Sequence, residues 1–196
     1  MEDFLFLDKD WFYKKYADKS KERFWTFKIA LNLFLQRQGS IIVETGCLRQ
    51  KDDWGAGQST LLFGEFCHRY GKKLYTVDNN AEHLLVAKEV TEPFKENIEY
   101  ILGDSHLFLE NFNKKIDLLY LDSLDADPNN QQKTREAQLH QLVEIQLALP
   151  KLSEKAIVLL DDNNLPFGGK TYLSKDFLKE KGFTLLMDYH QSLWTK

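Results

Sequence analysis

The chain has 196 residues, 43% of them hydrophobic and 13% aromatic, with a formal net charge of −4. That is enough apolar material for one globular domain with a full core, and the acidic balance argues against nucleic acid, whose phosphate backbone normally meets a basic face. No apolar run approaches the ~18–20 residues of a membrane span, so no membrane partner is expected. Cys47 and Cys67 stand outside any CxxC or Cys/His metal spacing, which points to a reducing, cytoplasmic setting rather than a disulfide framework. Met1–Phe4 lacks the basic and apolar regions of a signal peptide.

Residues 1–38 read as helical. From Ser20 to Gln38, the spacing of Phe24, Phe27, Ala30, Leu31 and Phe34 puts an apolar stripe on one face, and Gly39 is a natural stop. The N-terminal aromatic residues suit core packing or the face of a homodimer. Beyond them, short apolar runs alternate with amphipathic stretches. The runs are Ile41–Glu44, Leu74–Val77, Ile98–Leu102, Ile116–Leu121 and Ala156–Leu160, apolar at nearly every position, as strands buried on both faces of a parallel sheet are. Helical patterns cover Ser59–Tyr70, Ala81–Val90, Ser105–Phe112, Arg135–Leu149 and Leu173–Lys181, and Phe183–Trp194 reads as a terminal antiparallel hairpin. The expected architecture is a single α/β domain over residues 1–196. It is a Rossmann-like, doubly wound, mostly parallel sheet with helices on both faces and a C-terminal antiparallel hairpin.

Ligands of such sheets bind beyond the carboxyl ends of the strands. Those ends read Glu44-Thr45-Gly46, Asp78, Gly103-Asp104-Ser105, Asp122 and Asp161-Asp162. Carboxylates converging on one edge repel one another and call for a ligand with hydrogen-bond donors or positive charge. S-adenosylmethionine offers ribose hydroxyls, an adenine amino group, an ammonium and a sulfonium; a pyrophosphate would be repelled.

From Ile41 onward the order of these signals resembles the class I S-adenosylmethionine-dependent methyltransferases, nearest to the small-molecule O-methyltransferases of catechol and macrocin type. Glu44-Thr45-Gly46 resembles that family's first glycine motif, and Gly57-Gln58-Ser59-Thr60 its continuation into a helix. The resemblance implies cofactor contacts from Glu44, Gly46, Gly57, Ser59, Asp78, Asp104 and Ser105, with Asp78 on the ribose and Asp104-Ser105 on the adenine. It also implies that Asp122 lies nearest the reacting centre, and that Asp122, Asp161 and Asp162 form an acidic Mg²⁺ site, with Asn163 an alternative ligand if the register slips by one. Hard oxygen ligands of this kind suit Mg²⁺, which in those families orients a diol and lowers its hydroxyl pKa. The chain departs from the pattern in its long Cys47–Ala56 loop and in having no lysine just after Asp122. The implied activity is methylation of an oxygen, or less favourably a nitrogen, of a small-molecule acceptor.

Two other readings stand beside it. One is a methyltransferase-fold protein that binds nucleoside without catalysis. The other is a nucleotide hydrolase, because Asn164-Leu165-Pro166-Phe167-Gly168-Gly169-Lys170-Thr171 approaches the phosphate-binding loop G-x-x-x-x-G-K-[ST]. Its first glycine is replaced by Asn164, Pro166 lacks a donor, and Asp161-Asp162 put negative charge at its mouth. His140, beside the apolar stripe of its helix, reads as a partly buried structural histidine.

Overall fold

A computed structural model describes residues 6–55 and 58–196. In chain order the principal elements are α1 (Lys9–Ser20), α2 (Phe24–Gln36), β1 (Ile41–Thr45), α3 (Ser59–Tyr70), β2 (Lys73–Asp78), α4 (Ala81–Val90), β3 (Ile98–Leu102), α5 (Ser105–Asn111), β4 (Ile116–Leu121), α6 (Gln131–Ala148), β5 (Leu152–Leu160), α7 (Tyr172–Glu180), β6 (Thr184–Asp188) and β7 (Ser192–Thr195). The strands form one seven-stranded sheet in the order β3-β2-β1-β4-β5-β7-β6. The first five pair in parallel, and β7 runs antiparallel to both β5 and β6. This is the doubly wound arrangement with a terminal hairpin that the alternating pattern implies. The strand order reverses between β1 and β4, which opens a crevice there.

Alternation along each strand feeds two apolar layers. Ile42, Leu118, Tyr120, Ile157, Leu159 and Leu193 face α1, α2 and α3, where Phe12, Tyr16, Phe27, Phe34, Phe63 and Phe66 fill the space. Val43, Leu119, Leu121, Val158, Leu160 and Trp194 face the other side, with Ile145 and Ala148 of α6 and Leu178 of α7. Most of the N-terminal aromatics are therefore core.

Three differences from the sequence reading exceed a residue or two. The N-terminal helical segment breaks into two helices at a 3₁₀ turn over Lys21–Arg23, where Lys21 has φ 46°; the helical reading of residues 1–5 falls outside the described residues. Helix α6 starts at Gln131 rather than Arg135, because the Asn130 side chain caps it by accepting from the Lys133 N–H at 3.1 Å. Its polar first turn carries no apolar periodicity and so was invisible to that signal. Strand β5 begins at Leu152, ahead of the buried run, and its pairing with β4 is irregular between Ile116 and Leu118. Among the described residues, no helix is long and apolar enough to cross a membrane.

Candidate active site

The crevice at the β1/β4 switch is lined by Gly46, Ser59, Asp78, Asp104, Ser105 and Asp122, together with Cys47, Arg49, His83 and His140. Six of the ten residues expected to serve the site thus share one cleft. Gly46 follows β1 with φ 80°, and a Cβ there would sit 2.4 Å from the Asp122 carbonyl oxygen. Only glycine lets these two strand ends approach so closely. Asp78, at the end of β2, accepts from the Cys47 N–H at 3.1 Å and the Asn80 N–H at 2.8 Å, and the His83 ring lies 3.4 Å away. Asp104 caps α5 by accepting from the Leu107 N–H at 2.9 Å, so its cap role and its place on the cleft coexist. Ser105 is the first residue of that helix, with its Oγ 3.2 Å from His140 Nε2.

Glu44 is placed differently from the expectation. It is wholly buried and absent from the cleft lining. Its Oε2 accepts from the Thr60 and Thr76 hydroxyls, both at 2.7 Å, tying β1 to the start of α3 and to β2. The alternation of β1 forces this outcome. Its side chain points into a sheet face while the backbone two residues on turns into the crevice. Burial pushes the Glu44 carboxyl up to about 7, although those hydrogen bonds favour the charged form. Gly57, the other glycine implied by the family motif, lies outside the described residues.

His140 is half-buried as expected, but it belongs to the cleft. Its ring stacks on His106 at 4.1 Å and lies 3.4 Å from Glu144. Arg49, from the long loop after β1, reaches across the cleft mouth to Asp125 at 2.5 Å. Trp54 of the same loop packs against Tyr16 of α1. A second, small pocket bounded by Ser20, Arg23, Phe27, Trp54, Gln58 and Tyr120 shares Ser59 with the cleft.

Asp122, Asp161 and Asp162 do converge at the ends of β4 and β5, but the space between them is filled. Lys170 Nζ lies 2.8 Å from Asp122 Oδ1 and 3.5 Å from Asp162 Oδ2, and Lys170 is 1% exposed. Arg23, from the turn between α1 and α2, donates to Asp161 through Nε at 3.0 and 3.1 Å, and its Nη2 is 3.9 Å from Asp162. The Tyr120 hydroxyl donates to Asp161 at 2.8 Å and to Asp122 at 3.2 Å. Burial, with Asp161 nearby, pushes the Asp122 carboxyl up to about 6 despite the opposing pull of Lys170. The three carboxylates raise Lys170 above its ordinary value against the cost of burial.

This set does not fit a divalent ion. Such an ion needs oxygen atoms about 2.0–2.6 Å away, and two fixed cations already hold those oxygens. Asp161, Asp162 and His190 also bring ligand atoms within 4.8 Å of one another. There, however, His190 Nε2 shares Asp161 Oδ1 and Asp162 Oδ1 with Arg23, so the guanidinium covers that position too. The expected Mg²⁺ ligands Asp122, Asp161 and Asp162 thus come together, but in this arrangement Lys170 and Arg23 pair with them.

Lys170 also settles the phosphate-loop resemblance. Its ammonium points inward, its N–H donates to the Asp162 carbonyl at 2.9 Å, and the Gly169 N–H bends back to Pro166 O. With those donors spent inside the chain, no phosphate cradle is formed. Arg23, Tyr120 and Lys170 are the site residues that sequence reasoning missed. Tyr120 sits inside a core strand, Arg23 is 138 residues from its partner, and only the odd Gly-Gly-Lys triplet hinted at Lys170.

The profile of the methyltransferase-domain family matches residues 54–163. No curated protein matches the chain. Among solved structures, the SAH-bound methyltransferase PaMTH1 of Podospora anserina is 15% identical, with 100% of this chain and 88% of that one aligned at a TM-score of 0.63. The O-methyltransferase of Bacillus cereus in complex with SAH is 14% identical over 95% of both chains, at 0.55. The O-methyltransferase NovP is 13% identical over 89% of this chain and 79% of its own, at 0.61. At such identities the likeness is one of fold.

Proposed function

The chain belongs to the methyltransferase-domain family, and on that premise we propose that it binds S-adenosylmethionine in the β1/β4 cleft and methylates an oxygen of a small molecule. The observation that carries the reading is the acidic rim. Asp78, Asp104 and Asp122 come from three successive parallel strands and line one cleft whose floor, at Gly46, has no room for a side chain. Such a rim accepts hydrogen bonds from a ribose diol and an adenine amino group and favours a cationic ligand. The SAH bound in the Podospora anserina and Bacillus cereus structures supports the same ligand class here.

Bound there, the cofactor supplies an electrophilic methyl group on a sulfonium sulfur. The chain's part is to place the acceptor and take its proton. Asp122 is the one member of the carboxylate cluster that lines the cleft. A pKa near 6 leaves it ionised at neutral pH yet basic enough to receive a hydroxyl proton as the new O–C bond forms. The pocket that shares Ser59 with the cleft holds only about 10 Å³, room for about one water, so a compact acceptor would enter through the cleft itself, beside Asp122. Alignment of nucleophile and methyl supplies most of the rate.

Transfer from methyl-labelled S-adenosylmethionine to a panel of phenols, catechols and hydroxy acids tests this, with EDTA present throughout. Label in an O-methyl product is expected. Asp122→Asn should lower turnover by about 10²–10⁴-fold, and wild-type rate should fall below pH of about 6 as Asp122 protonates. Cofactor binding without transfer to any acceptor would instead favour a nucleoside-binding protein.

A further inference from the structure

The Gly-Gly-Lys turn after β5 does not line the cleft, yet it delivers a fully buried ammonium to the acidic cluster. The loop that carries Lys170 is held from several directions. Gln138 of α6 donates to the Phe167 carbonyl at 3.0 Å and the Gly169 carbonyl at 2.8 Å. The Thr171 hydroxyl donates to Asn163 Oδ1 at 2.6 Å. Gly169 has φ 65°, and a Cβ there would lie 2.2 Å from the Asn163 carbonyl, so the turn is built for glycine. Lys170 therefore has no retreat: its backbone is clamped, and its side chain ends between Asp122 and Asp162.

Three carboxylates meet two cations in this cluster. A divalent ion would have to share the carboxylate oxygens with a buried ammonium and the Arg23 guanidinium, which repulsion between like charges opposes. We propose that the protein works without a divalent cation, the Lys170 ammonium standing as the cluster's own positive charge and positioning the Asp122 carboxylate at the cleft. Removing this ammonium leaves Asp122 Oδ1 and Asp162 Oδ2 without their cation and three carboxylates beside a single guanidinium, a charge balance that favours a divalent ion on those two oxygens. The positioning role rests on the methyl-transfer reading; the exclusion of the ion does not.

The test uses the full chain after dialysis against EDTA, with Mn²⁺ as probe, followed by electron paramagnetic resonance and thermal melting. Wild type should leave the free Mn²⁺ signal undiminished and its Tm unmoved by millimolar Mn²⁺. Lys170→Ala should lose on the order of 10 °C in Tm, bind Mn²⁺ and recover part of that loss with it; adding Asp162→Asn should abolish the binding. Lys170→Arg, which keeps the charge, should stay silent to Mn²⁺. Binding of Mn²⁺ by wild type, lost in Asp162→Asn, would overturn the proposal, as would a folded Lys170→Ala that gains no Mn²⁺ affinity. If Lys170→Ala does not fold, wild type and Lys170→Arg decide the matter by the same criterion. Calorimetry with S-adenosylhomocysteine reports on the cofactor separately, so the two readings fail independently.

Discussion

Glu44 stands one residue before the end of β1, a strand buried on both faces, and its carboxylate meets two threonine hydroxyls rather than the cleft. The family motif marks the residue, but the pleat of β1 decides where it points. Because burial raises its carboxyl from 4.5 to about 7, the folded state holds a proton that the unfolded state releases across that interval. Stability linked to Glu44 is therefore fully present below pH of about 4.5 and declines up to about 7, by on the order of 3 kcal/mol. Glu44→Gln keeps the neutral shape and should flatten that slope. Urea titrations of both proteins across this pH range check it, and parallel slopes would contradict the assignment. The same scale explains the missed residues: a lysine after a double glycine and an arginine in a short turn carry no local sign that they converge on distant carboxylates.

Helix α1 is tied to the body through one carboxylate. Glu65 of α3 accepts from Trp11 Nε1 at 2.9 Å and the Tyr16 hydroxyl at 2.6 Å, and pairs with Lys15 at 2.5 Å. Tyr16 is fully buried, so losing its partner leaves an unsatisfied hydroxyl worth about 1–3 kcal/mol. Glu65→Ala should lower the unfolding free energy by that amount, read as a lower urea midpoint at unchanged m-value. Because the α1–α2 turn supplies Arg23 to Asp161, it should also loosen the roof of the small pocket, speeding proteolysis within residues 9–23. Unchanged stability and cleavage would show that α1 is held by its apolar face alone. The periodicity of α2 was readable because Phe24, Phe27, Leu31 and Phe34 mark one stripe. The anchoring of α1 was not, because its hydrogen bonds join residues some fifty positions apart.

At the scale of the molecule, the parallel order of β1 to β5 and the hairpin were legible, since strands buried on both faces are uniformly apolar and each helix between them has its own pattern. The cleft followed from topology: strand ends at a switch point must converge. What could not be read was occupancy. Three aspartates in sequence look alike whether they surround a metal or a lysine, and only the folded loop after β5 distinguishes the two. The same limit applies to the acceptor.

The central claim is that this cleft holds the adenosyl cofactor, and titration calorimetry with S-adenosylhomocysteine on wild type and Asp78→Ala tests it most directly. Saturable heat with a Kd of about micromolar order is expected, weakened roughly 10- to 100-fold in Asp78→Ala, which removes a carboxylate acceptor from the rim. No binding at millimolar ligand, or equal affinity in the two proteins, would contradict it.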